Sequence, residues 1–174
     1  YLVPVAESGE GPLFLALNRN KMSLTLNPMK PEGREVVRKL VETADVVIAN
    51  LPQPTLEAMG IDYDSLKAIK PDIILTTVTA YGNGGPYSER VGFDGVAQAL
   101  AGATYMGGHP GDPMKSFVPF ADFGTATMAA FGTMSALLDR EKTGKGQLVE
   151  GALTRTVMAF NISLIAEEAL KSID

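Results

Sequence analysis

The chain has 174 residues, 45% apolar and 20% charged, with a formal net charge of −5; that is the composition of a globular protein with one domain and enough apolar content for a sizeable core. It has no cysteine and one histidine, His109, which excludes disulfides, thiolate catalysis, cysteine-based metal sites and His-rich metal clusters. The negative charge, with no basic stripe interleaved with aromatics, argues against nucleic acid as a partner.

The pattern at 11–18 (GPLFLALN) reads as the end of a helix, and 22–27 (MSLTLN) alternates as a strand does. Pro31 and Glu32 open a helix over 32–43, with proline and acid in the first turn and Val36, Val37, Leu40 and Val41 on one face. The runs 46–51 (VVIANL) and 73–81 (IILTTVTAY) are unbroken and apolar, as in parallel strands covered on both faces. Short helices at 55–59 and 63–69 separate them. Strand, helix, strand, helix, strand predicts an α/β fold with a parallel sheet, forming one domain over 1–174. A glycine loop, 82–86 (GNGGP), follows the last of these strands at the edge where open α/β sheets bind ligands. Next come a helix over 93–104, a turn-rich stretch at 107–113 and a long helix over 122–141. The long helix stops at 143–146 (TGKG), with Arg140 and Lys142 at its end. A strand at 147–150 and a helix at 153–170 finish the chain.

The glycine loop has the donors to cradle a phosphate. It matches neither dinucleotide nor P-loop fingerprint, and a plain turn explains it equally well. His109, between Gly108 and Pro110, has no second ligand at helical spacing and reads as a surface turn. The run 123–138 carries no charge; it is too short for a membrane span of about 20 apolar residues. Its small residues predict a helix buried on nearly all sides. Asp122 stands at its head, flanked by Ala121 and Phe123. One reading is a helix N-cap; the other is a carboxylate tuned as nucleophile or base. The two are compatible. No signal pattern opens the chain, so the expected location is the cytoplasm.

Six stretches together resemble the family III CoA-transferases of the CaiB/BaiF type: 18–26 (NRNKMSLTL), 32–51 (EGREVVRKLVETADVVIANL), 80–86 (AYGNGGP), 93–99 (FDGVAQA), 121–125 (ADFGT) and 138–153 (LDREKTGKGQLVEGAL). They cover almost the whole chain in order. The resemblance implies a Rossmann-like large domain, a smaller domain and an interlocked homodimer. It implies acyl-CoA and a carboxylic acid acceptor as substrates, with coenzyme A bound as the thioester and no metal. Asp122 falls in the family's nucleophile position, forming an aspartyl anhydride and then a thioester, in an apolar setting that excludes water. Asp94 matches an acid beside the site that orients groups or shuttles protons. The CoA-contact positions fall on Thr25 and Leu26, on Asn50, Leu51 and Met59, and on Arg90 or Val91.

The chain departs from the family pattern in places. Related α-methylacyl-CoA racemases carry a histidine base where this chain has Phe93, so transfer is expected over racemisation. No basic residue follows Asn50 within 50–54 (NLPQP), and Ala58 stands at another possible CoA-binding arginine. The family's first strand lies before Tyr1 and its small domain after Asp174, so the expectation is a central fragment of a longer enzyme. The alternative is a non-catalytic folded fragment that self-associates through apolar faces.

Overall fold

The computed structural model describes Gly9 and residues 11–171. In chain order the elements are α1 (Pro12–Leu17), α2 (Pro31–Thr43), β1 (Val46–Ala49), α3 (Gln53–Met59), α4 (Tyr63–Ile69) and β2 (Ile74–Thr79). Then come α5 (Asp94–Leu100), α6 (Ala103–Met106), β3 (Gly108–His109), β4 (Asp112–Pro113), α7 (Phe120–Thr143), β5 (Leu148–Ala152), α8 (Leu153–Phe160) and α9 (Ile162–Lys171). The main sheet has the order β1-β2-β5 and is parallel throughout. Val46 lies opposite Ile74, and Leu75 opposite Leu148. The fold is α/β, with helices on both faces of the sheet.

Alternation along β2 assigns its two faces. Leu75 points into a core made with Val41, Leu66 and Ile73, under α2 and α4. Thr76, the next residue, points the other way and shares a buried hydroxyl–hydroxyl bond of 2.6 Å with Thr133 of α7. A second core gathers Ala80, Ala97, Ala101, Ala121, Leu153 and Val157 at the carboxyl end of β2, where α5, α7 and α8 meet.

α7 runs antiparallel to the strands, and its ends show why. Arg140, near its C-terminus, donates to the carbonyl oxygens of Asp45 and Asp72, which precede β1 and β2, and to Asp45 Oδ1 at 2.9 Å. That fixes the helix end to the amino edge of the sheet. At about 1.5 Å per residue, the 24 residues of α7 carry its N-terminus past the carboxyl edge. Gly144, with φ +67°, ends the helix in the left-handed region that glycine accepts without strain.

Four expectations are corrected. The stretch 22–27 is not a strand: its backbone joins no ladder, and Met22 and Leu24 are exposed. Alternation alone builds no strand without a neighbouring edge to pair with, and β5 supplies the third strand instead. The helix expected over 93–104 is broken into α5 and α6 at Gly102, whose φ of +81° is non-helical. The C-terminal helix is likewise divided at Asn161, which caps α8 and donates its side-chain N–H to Ala101 O at 3.0 Å. Finally, α7 is buried along one stripe only, Ala121, Thr125, Ala129, Thr133 and Ala136. Phe131, Met134 and Leu138 are exposed, because the helix meets the sheet along a single face.

Candidate active site

Asp122 is the third residue of α7, and Pro119 is the N-cap, with no side-chain cap bond of its own. The N-cap reading of Asp122 is therefore overturned. The orphan N–H groups of the first turn are satisfied from a distance. Ala121 N–H and Asp122 N–H both donate to Asp94 Oδ2, at 2.9 and 3.2 Å. Asp94 opens α5 and is 7% exposed. Its other oxygen, Oδ1, accepts the Gln98 side-chain N–H at 2.5 Å. Gln98 is fully buried, and its Oε1 accepts Ser116 N–H at 2.9 Å.

The two aspartates thus have opposite surroundings. Both oxygens of Asp94 are engaged by internal donors, while the Asp122 side chain is exposed. The Asp122 carboxyl nonetheless titrates above the ordinary value of 3.8, first through partial desolvation and then through the negative charge of Asp94. Among neighbouring aromatics Phe120 is half-buried and Phe123 is exposed, so the described residues do not enclose Asp122 in a dry pocket.

Gly92 brings the segment before α5 against the end of β2. A methyl group added there would lie 2.6 Å from Ala80 Cβ, closer than packed carbons approach. Arg90 and Val91 are thereby held beside the carboxyl edge. Arg90 stacks its guanidinium over Tyr87, 4.4 Å from the ring centroid, and Val91 is exposed. Asn50 is exposed and Leu51 half-buried, directly after β1. Thr25 is exposed and Leu26 half-buried, on the unpaired stretch before α2 and not at a strand end. Met59 ends α3 and lines a cavity of about 380 Å³ with Pro31, Arg34, Val37 and Ile69; no other candidate residue lines it. His109 lies on the exposed β3–β4 hairpin.

Three side chains add to the reading of the sequence. Arg34 donates to Pro28 O at 3.3 Å and Ala58 O at 2.6 Å, tying the stretch after Leu26 to the end of α3. Arg155 lies against Gly82 in the glycine loop, where a methyl group would come within 2.9 Å of its guanidinium. Gln98 was legible as an i,i+4 partner of Asp94 once a helix began at 94; the other two depend on folding. Among the described residues no group of three or more histidine or acidic side chains is gathered to hold a metal ion. No described helix is long and apolar enough to cross a membrane.

Residues 1–171 match CoA-transferase family III. The chain is 38% identical over 159 residues to the succinyl-CoA–L-malate CoA-transferase beta subunit of Chloroflexus aurantiacus, covering 90% of this chain and 39% of that protein. It is 35% identical over 151 residues to the succinyl-CoA:glutarate CoA-transferase of Homo sapiens, covering 86% of this chain and 34% of that one. The crystal structure of a CaiB/BaiF family protein from Brucella suis superimposes with a TM-score of 0.81 at 40% identity, over 88% of this chain and 41% of that chain. The chain thus spans about two fifths or less of the relatives it matches.

Proposed function

The chain belongs to CoA-transferase family III, and from that premise we propose that the whole protein moves CoA from an acyl-CoA thioester to a carboxylic acid, with Asp122 as the nucleophile. The observation that carries this reading is the contrast between the two aspartates. Asp122 is a solvent-facing carboxylate in the first turn of α7, and its backbone is held by the buried Asp94. It lies at the carboxyl edge of a parallel sheet, the edge at which such folds bind ligands.

The exchange balances without a redox step or a net proton. An Asp122 carboxylate oxygen attacks the thioester carbonyl; the C–S bond breaks, and CoA leaves as thiolate with a mixed anhydride remaining. The thiolate attacks the Asp122 carbonyl, releasing the donor acid and forming an aspartyl thioester. The acceptor carboxylate attacks that thioester, giving a new anhydride and thiolate. Attack of the thiolate on the acceptor's acyl carbon yields the new acyl-CoA and frees Asp122. A raised Asp122 pKa fits the role, because a more basic carboxylate is a better nucleophile.

Asp94 acts as an orienting group, since both its oxygens are already engaged. Asn50, Leu51, Arg90 and Val91 are the CoA contacts nearest the strand ends; Thr25, Leu26 and Met59 extend the surface towards α2 and α3. Succinyl-CoA is the donor named for the relatives in Chloroflexus and human, and a dicarboxylyl-CoA is the first donor to try here. A homodimer and a cytoplasmic location belong to the same reading.

Incubation with succinyl-CoA followed by hydroxylamine or borohydride is expected to modify the peptide that contains Asp122. Asp122→Ala is expected to abolish both the labelling and the transfer. Labelling at another peptide, or full activity in the alanine variant, overturns the assignment.

A further inference from the structure

We propose that Gln98 is a positioning residue for CoA transfer: its buried amide locks Asp94 between the 114–119 segment and the N-terminus of α7, and so sets where Asp122 stands. This rests on Asp122 being the nucleophile.

A glutamine side chain with no exposed surface is costly unless both ends of its amide are bonded. Here both are. Oε1 accepts Ser116 N–H at 2.9 Å, and Nε2 donates to Asp94 Oδ1 at 2.5 Å. The other Asp94 oxygen accepts the backbone N–H groups of Ala121 and Asp122. A continuous relay thus runs from Ser116 through Gln98 and Asp94 to the backbone of Asp122. It replaces the local cap that Pro119 lacks. Four residues separate Asp122 from Phe117, which is 98% exposed. Ala121 is packed in the core with Phe120 beside it, and in the approach ahead of them the Ser116 N–H bond to Gln98 is the fixed point. Without the Gln98 amide, Asp94 Oδ1 has lost its donor, and only the two α7 amides on Oδ2 still hold the carboxylate. The α7 amides then have a less firmly placed acceptor.

The charged groups around Gln98 are few. Asp94 lies on its own helix, Asp122 on α7, and Lys115, whose side chain reaches Gly95, on the incoming segment. α8 contributes only Arg155, at Gly82, and α6 only the Tyr105 phenol, which is exposed. An ionisable group introduced at position 98 therefore titrates chiefly against Asp94.

Two variants of the whole protein test the proposal. Gln98→Met keeps the volume and removes both bonds. It is expected to lower kcat on the order of a hundredfold, the effect of a small misplacement of a reacting group, while KM for succinyl-CoA stays within about twofold. Gln98→Glu restores the relay only while protonated, because its O–H then donates to Asp94 Oδ1 and its other oxygen accepts Ser116 N–H. As pH rises the two carboxylates repel. This variant is expected to approach wild-type kcat at acidic pH and to fall to the methionine level at alkaline pH, with thermal melts at each pH showing the fold intact across the range, since repulsion between two buried carboxylates also destabilises. In amide hydrogen exchange, Ala121, Asp122 and Ser116 are expected to lose protection in Gln98→Met while β2 keeps it.

A folded Gln98→Met with kcat within about twofold of wild type overturns the proposal. So do identical pH profiles for the two variants, or retained protection at Ala121 and Asp122. If Gln98→Met does not fold, the pH profile of Gln98→Glu decides alone. If Asp122→Ala is inactive while Gln98→Met turns over normally, only the positioning role falls; if Asp122→Ala is active, the nucleophile reading itself has failed.

Discussion

Asp94 and Asp122 carry the same functional group and respond oppositely to substitution. Asp94→Ala removes the acceptor of two α7 amides and of the Gln98 side chain, and is expected to cost about 1–3 kcal/mol, the penalty for buried donors left unpaired. Asp122→Asn removes a carboxyl whose folded-state pKa is raised. For a raised acid, the stabilising contribution is present below the ordinary value of 3.8 and is lost as pH rises through the folded value. The asparagine variant is therefore expected to melt at or slightly above wild type at neutral pH, with the difference vanishing in acid; a pH series of thermal melts checks it. At Phe93, which is 72% exposed, no group is able to take or return a proton, and His109 lies on the exposed β3–β4 hairpin. Racemisation needs a proton acceptor and a donor on opposite faces of the α-carbon. In heavy water the whole protein is expected to transfer CoA without deuterating the α-carbon of a 2-methylacyl-CoA; rapid deuteration without transfer reverses that order.

α7 is the element that turns the fold into a site. Its uncharged middle lies on the sheet and on α8 through small side chains: a methyl group on Gly132 would meet Val149 of β5 at 2.8 Å, and one on Gly124 would meet the Phe160 ring of α8 at 2.7 Å. Close approach, not bulk, is what these positions supply. Arg140, with a side chain only 16% exposed, anchors the far end to two backbone carbonyls. Arg140→Ala is expected to cost on the order of 1–2 kcal/mol in urea denaturation, mostly from the carbonyl bonds, since Asp45 is too exposed for its ion pair to add much. Asp122 labelling should persist, because the N-terminal relay does not depend on that end. The stop of α7 was legible in 143–146, where glycine and basic residues mark a helix C-terminus. Its start was not. The three residues 120–122 look like the approach to a cap until Asp94, 28 positions earlier, takes over the capping.

At the scale of the whole molecule, Phe131, Met134 and Leu138 on α7 and Ile162, Ile165 and Leu170 on α9 are exposed, and apolar side chains gathered in this way mark interfaces. Light scattering at micromolar concentration is expected to give a mass above that of one chain, and Phe131→Asp with Met134→Lys to shift it towards the monomer; a clean wild-type monomer defeats this reading. The sequence alone determined the parallel pair β1–β2, because two unbroken β-rich runs separated by helical periodicity have few other ways to bury both faces. It also marked Asp94 and Asp122 as the acids of interest, through their place in the family's stretches. Only the tertiary structure decided which acid is buried and which is open, that 22–27 pairs with no described strand, and that β5 lies beside β2 in the sheet. Strand pairing and helix capping here are made between residues far apart in the chain; local patterning encodes which groups need partners, and the fold alone determines which partners arrive.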